Sequence, residues 1–301
     1  MAVYDGKIWF GNTRNAKWVK APLADMGASA TGNAEEQQFT NGGQFVKASF
    51  GSARNFDMSW VGDRADLQVI KDFKDGIYGG GLIYWEDPFA DNILPPHWAA
   101  PMLTVRDWPS LISSGNKPEP ITHASTSNNY PFQSAKYSVT NAAETTRALT
   151  LLIPEGHTLS IGFVYSVTGT ASIKAVRVNL DGTDGATVTL SQLVIGGASR
   201  YSDTFSNVDG ATNRCCAIRV YISRSDTSTS TITIRGGMAK LAVSGGAHGH
   251  VPIVTAGPWS SGEGFSGCVI AGAPQMTYKG IVDSRRLITM SATLKEIGAW
   301  L

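Results

Sequence analysis

Thr158-Leu159-Ser160-Ile161-Gly162-Phe163-Val164-Tyr165-Ser166-Val167 alternates large apolar residues with mostly small or polar ones at a period of two. Successive side chains of a strand point to opposite faces, so the pattern predicts a strand with one face in a core. Alternating runs recur at 135–140, 147–153, 172–180, 187–195, 200–205, 215–222 and 231–234, separated by turns such as Asp181-Gly182 and Asp209-Gly210. About eight short strands so spaced predict an antiparallel sandwich of jelly-roll type over residues 130–246.

Working outward, residues 113–129 are rich in Ser, Asn, Pro and Thr without periodicity and read as a linker. Ser244-Gly245-Gly246-Ala247-His248-Gly249 forms a second joint. Fewer than about 60 residues follow it, few for a core of their own. They end in a strand-like Arg286-to-Leu294 run. The economical arrangement returns residues 247–301 to residues 1–112, so that the sandwich is an insertion in one outer domain; insertions are tolerated where their ends lie close together.

In the outer part, Asp5-Gly6 within Val3 to Gly11 has hairpin-turn chemistry. Gln44–Ser49 and Asn55–Trp60 flank Phe50-Gly51-Ser52 and predict a second hairpin. Asp63 is placed to cap a helix with Leu67, Ile70 and Phe73 on one face, Val69 at its edge and Gly76 as terminator. Gly79-Gly80-Gly81 lacks the Lys-Ser or Lys-Thr and the helix of a phosphate loop, and reads as permissive backbone before a Leu82–Trp85 strand. From Asp87 to Pro101 the prolines argue against regular structure, yet Phe89, Ile93, Leu94 and Trp98 are too apolar to be left in water. The expected fold is mainly β with one short helix.

Composition narrows the function. The 301-residue chain is 42% hydrophobic and only 16% charged, against about 25% in an average soluble protein. Its formal charge of +1, with no basic run, disfavours nucleic-acid binding as the main task. No apolar stretch approaches the ~20 residues of a membrane span and the opening residues lack signal-peptide character, so a soluble, cytoplasmically made product is expected. Three cysteines, two of them adjacent at Cys215-Cys216, read as reduced thiols.

Catalytic chemistry has few candidates. Glu86, Asp87 and Asp91 beside His97 are the only dense acid–base group, and around a proline-rich turn they read as turn and interface residues. His248-Gly249-His250 lacks a third ligand at a recognisable spacing. Asp181-Gly182-Thr183-Asp184-Gly185 lacks the distal acid of a calcium loop. No cofactor is expected. Sugars stack on exposed aromatics, so Tyr130, Phe132, Tyr165, Tyr201 and Tyr221 are candidates for a glycan site, with core or interface positions as the plainer reading.

Three stretches resemble minor tail proteins of the distal-tail family from long-tailed phages of actinobacteria. They are Gly11-Asn12-Thr13-Arg14-Asn15-Ala16-Lys17-Trp18-Val19-Lys20-Ala21-Pro22, the Asp87-to-Pro101 passage with Asn92-Ile93-Leu94-Pro95-Pro96-His97-Trp98-Ala99-Ala100-Pro101, and the Arg285-to-Leu294 strand. Ile232-Thr233-Ile234-Arg235-Gly236-Gly237-Met238-Ala239-Lys240-Leu241 resembles the closing strand of carbohydrate-binding jelly rolls. The resemblance implies a non-enzymatic virion component at the tail tip. Its outer β-domain would form a ring, usually of six copies, joining tail tube protein to tip or hub proteins, and its second sandwich would project towards protein or a host-surface glycan.

The expected mechanism is geometric, through edge pairing and arm exchange between copies. Phe89, Ile93, Leu94, Pro95, Pro96, Trp98 and Pro101 form the interface arm, which gains most burial against a neighbouring subunit. The main alternative is a carbohydrate-active enzyme, a host-wall glycan hydrolase or depolymerase with a binding module. A free-standing glycan-binding module is a third reading, which the split outer domain and the absence of signal-peptide character disfavour.

Overall fold

Asp63 leaves a strand in extended backbone and its carboxylate accepts the Ala65 N–H at 3.0 Å, starting the helix Arg64–Lys74. Leu67, Ile70 and Phe73 are buried along one face, and Gly76 at φ +76 follows the end. Cap, apolar face and terminator are those expected from the sequence. The computed structural model describes residues 6–23, 27–30, 33–38, 44–49, 54–88, 90–99, 119–122, 133–139, 149–190, 192–193, 203–209, 213–224, 230–243, 262–265 and 267–296.

The fold is mainly β, built from several sheets that are antiparallel apart from the short Gln192–Leu193 strand, which runs parallel to His157–Thr168. One sheet runs in the order Leu149–Leu152, Asn213–Arg224, Ala171–Asn179, Asp184–Thr189. A second runs Gln192–Leu193, His157–Thr168, Ser230–Val243, Gln133–Val139, Glu119–Thr122. Leu151, Ile173, Val220 and Ile222 from the first meet Leu159, Ile161, Phe163, Ile232 and Ile234 from the second in one core. Where they are described, the alternating runs of the sequence lie mainly on strands. Glu119–Thr122 corrects the expectation of a linker throughout 113–129, because it pairs with Gln133–Val139 at the sheet edge, where Pro120 costs no ladder bond.

Two further sheets and the helix enclose a separate core containing Phe10, Met58, Trp60, Leu67, Ile70, Ile288 and Leu294. One has Lys7–Gly11 between Ala16–Lys20 and Tyr84–Glu86. The other runs Cys268–Val282, Arg285–Glu296, Arg54–Asp63, Gly27–Ala30. The C-terminal strand thus pairs with Arg54–Asp63, from Leu287 opposite Asp63 to Lys295 opposite Asn55. Gly6, at φ +72, precedes the first strand, while the Val3-to-Asp5 half of the expected turn lies outside the described residues.

The hairpin expected around Phe50-Gly51-Ser52 does not form. Gln44–Ser49 pairs with Asn33–Gln38, and Arg54–Asp63 is already flanked by Gly27–Ala30 and Arg285–Glu296. Cys268–Val282 is a strand that no alternating pattern announces, since Gly272, Pro274 and Gly280 punctuate it. The register shifts between Ala271 and Gln275 and between Tyr278 and Gly280, so Pro274 sits in an irregularity of an outermost strand.

Candidate assembly interface

The Asp87-to-Pro101 passage packs on its own chain. Ala90, Ile93, Leu94, Trp98 and Ala99 are buried in the core of the sandwich, with Trp98 edge-on to Phe163 at 5.6 Å. Asn92 is fully buried: its side-chain oxygen accepts the Ala239 N–H at 3.0 Å, and its amide donates to the Gly237 carbonyl at 3.2 Å. Residues 263 and 264 close the other side, donating to the Asn92 and Leu94 carbonyls at 2.8 and 3.1 Å. A Cβ on Gly237 would lie 2.5 Å from the Phe163 ring and 2.8 Å from the Trp98 carbonyl, which accounts for glycine at that place in the strand.

Two expectations are corrected here. The passage contains one helical turn, Pro96–Ala99, because a proline at the first helical position loses no bond and has the right φ. The burial that Ile93, Leu94, Pro95 and Trp98 require comes from the same chain, with no second subunit needed. Phe89 and Pro101 lie outside the described residues, as do the side chains of Pro96 and His97.

The Asn12-to-Asn15 loop grips the sandwich from the other direction. Asn12 accepts the Arg14 and Asn15 N–H groups and donates to the Tyr78 and Gly79 carbonyls, which shapes the loop. The Thr13 carbonyl then accepts from Cys216 Sγ. Arg14 lies over the Asp181–Gly182 turn, where a Cβ on Gly182 would be 2.7 Å from Nε. That turn closes on itself: Asp181 accepts the Thr183 N–H at 2.8 Å and its hydroxyl at 2.6 Å. Gly79 and Gly81 have φ of +87 and +142, the permissive geometry expected before the strand.

Two members of the acid–base group, Glu86 and Asp91, take different partners. Asp91 pairs with Lys240 at 3.0 Å, whereas Glu86 is buried and accepts the Leu152 N–H at 3.2 Å. Burial pushes the Glu86 carboxyl well above the carboxylate range; the Leu152 bond opposes this and Asp87 adds to it. Nearby, Trp18 packs edge-on to Trp9 at 5.0 Å and touches His157 at 5.5 Å. His157 is buried and its pKa is lowered by desolvation, partly offset by a bond to the Glu155 carbonyl.

These shifts have opposite consequences for stability. The raised Glu86 pKa means the folded chain holds a proton that the unfolded chain releases, so stability falls as pH rises through the folded value. The lowered His157 pKa costs stability as pH falls from the ordinary histidine value. Glu86→Gln keeps the acceptor without the charge, so it should stabilise the protein by about 1–3 kcal/mol once wild-type Glu86 is ionised. Urea melts between about pH 5 and pH 9 should show the advantage of the variant growing with pH; a constant difference would refute the assignment.

Of the glycan candidates, Tyr165 is 6% exposed and donates its hydroxyl to the Leu190 carbonyl at 2.9 Å, so it has no free face for a sugar. Tyr221 is half-buried on Asn213–Arg224. Tyr130, Phe132, Tyr201 and the His248-to-His250 pair lie outside the described residues. Cys216 and Cys268 are buried, and burial raises the Cys268 pKa.

The feature that sequence reading missed is the open edge of Cys268–Val282. Its start is covered, since Cys268 exchanges bonds with Ile83, and Lys74 Nζ donates to the Ile270 carbonyl at 2.7 Å. Beyond this, among the described residues, no strand lies along its outer side up to Val282. Tyr278, Ile281 and Val282 are 57%, 67% and 55% exposed, and Lys279, Arg285 and Arg286 are exposed beside them. Asp283 and Ser284 turn the hairpin with φ of 48 and 63, a geometry usually signalled by Asn-Gly, so the sequence hid it.

No protein-family model matches the chain, and no significant match occurs among curated proteins. Among solved structures it is similar to the infectious bursal disease virus VP2 subviral particle, at 12% identity and a TM-score of 0.23, covering 99% of this chain and 78% of that one. The Gx strain of that virus matches at 12% identity and 0.26, covering 99% and 78%. The Gt strain matches at 13% and 0.25, covering 97% and 77%.

Proposed function

We propose that this chain is a structural protein of a long-tailed phage tail tip, of the distal-tail type. Its outer sheets assemble head to tail into a ring joining tail tube protein to tip or hub proteins, and its sandwich projects for protein or host-glycan contact. The open Cys268–Val282 edge carries this reading. An edge strand with unpaired backbone and exposed apolar side chains is a liability unless something covers it. The resemblance of Gly11–Pro22, Asp87–Pro101 and Arg285–Leu294 to distal-tail proteins supports the same reading. Two of those segments hold the sandwich firmly, as an adaptor requires.

Mass photometry of the purified protein tests this. A closed species is expected, near 190 kDa if the number is the six implied by the resemblance and each copy weighs 32.0 kDa. Negative-stain images should show rings. A monomer at all concentrations that releases reducing sugar from host-wall polysaccharide would overturn the structural reading in favour of a hydrolase.

A further inference from the structure

We infer that the open edge of Cys268–Val282 in one copy is completed by the Asn33–Gln38 and Gln44–Ser49 hairpin of the next. The inference rests on the ring reading and names the contact that makes it. Asn33–Gln38 and Gln44–Ser49 pair with each other and, among the described residues, with no other strand. A two-stranded hairpin alone is at best marginally stable in water and gains from a third strand. Among the described residues, one chain therefore carries a hairpin without a third strand and an edge without a neighbour.

Their placement makes the pairing intermolecular and directional. Gly27–Ala30 ends the four-stranded sheet on one side, and the hairpin follows it directly in sequence; Cys268–Val282 ends the same sheet on the other side. Donor and acceptor thus belong to opposite ends of one sheet, the condition for a heterologous contact that closes into a ring or runs on as a filament. Charge agrees with this. Asn33–Gln38 carries Glu35, opposite Lys47 in the hairpin's own register, and Glu36, for a net charge of one negative, whereas the acceptor region presents Lys279, Arg286 and Arg285, the last beside Asp63, around the single acid Asp283. Main-chain pairing would supply affinity and the charges would set register, as in strand addition generally.

Two variants test the contact. Ala30 lies directly opposite Arg54, so residues 31–53 can be replaced by Asn-Gly, the two-residue turn that joins opposed strands. This chain keeps the acceptor and loses the donor. Lys279→Glu with Ile281→Glu and Arg286→Glu keeps the donor and opposes Glu35 and Glu36 at the acceptor. Each alone should stay monomeric at concentrations about 100-fold above those at which the wild-type chain assembles. Mixed, they should form a heterodimer and stop, since one productive junction remains.

Sedimentation velocity reads the outcome, and unchanged thermal melts show that both variants fold. If the hairpin-less chain assembles like wild type, or the mixture forms no heterodimer while wild type forms rings, the hairpin is not the donor and the ring reading survives. If wild type itself stays monomeric, the ring reading fails and this inference fails with it.

Discussion

Cutting the chain after Gly246 unfolds the outer sheets and leaves the sandwich strands protected. The cut removes Cys268–Val282 and Arg285–Glu296, and with them the whole partner of Arg54–Asp63 on one side. Ile288, Met290 and Leu294 leave the core shared with Phe10, Trp60 and Leu67. Deleting a buried large aliphatic side chain costs about 2–5 kcal/mol, so these three alone amount to roughly 6–15 kcal/mol. That equals the whole stability of a typical domain, about 5–15 kcal/mol. Hydrogen exchange should show loss of protection in Lys7–Lys20 and Arg54–Lys74 while His157–Thr168 and Ser230–Val243 keep theirs. Protection lost in the sandwich and kept in the outer strands would refute this division.

Trp98→Ala destabilises the monomer itself. Burial of the Phe89–Pro101 arm against a neighbouring subunit would instead make loss of Trp98 abolish assembly and spare the fold. In the structure it is 3% exposed and packed on Phe163 within the sandwich core. A buried tryptophan removed from such a place costs about 3–5 kcal/mol, or roughly 6–20 °C in Tm. Differential scanning calorimetry should find the sandwich transition lowered by that amount and the outer transition little changed. A fragment spanning 113–246 should be impaired for the same reason, since it lacks Ile93, Leu94 and Trp98. An unshifted melt with failed assembly would restore the intersubunit anchor.

The β class, the described sandwich strands, the capped helix Arg64–Lys74 and the strand character of Arg285–Leu294 are legible in the sequence. Those features are local: a period of two, a capping carboxylate and a glycine after the last turn act on neighbouring residues whatever the rest of the chain does. Where apolar segments without periodicity find their burial depends on contacts far along the chain. Ile93 and Trp98 announce that they must be covered, but nothing in their own stretch distinguishes Phe163 of the same chain from a pocket on another. The same holds for Arg54–Asp63, whose alternation predicts a strand but not its partners, because alternation is satisfied equally by Gln44–Ser49 and by Arg285–Glu296. It holds too for Cys268–Val282, where Gly272, Pro274 and Gly280 argue locally against a strand. Pairing with Arg285–Glu296 over nearly its whole length, with two register shifts to absorb the breaks, outweighs that local preference and leaves the edge exposed.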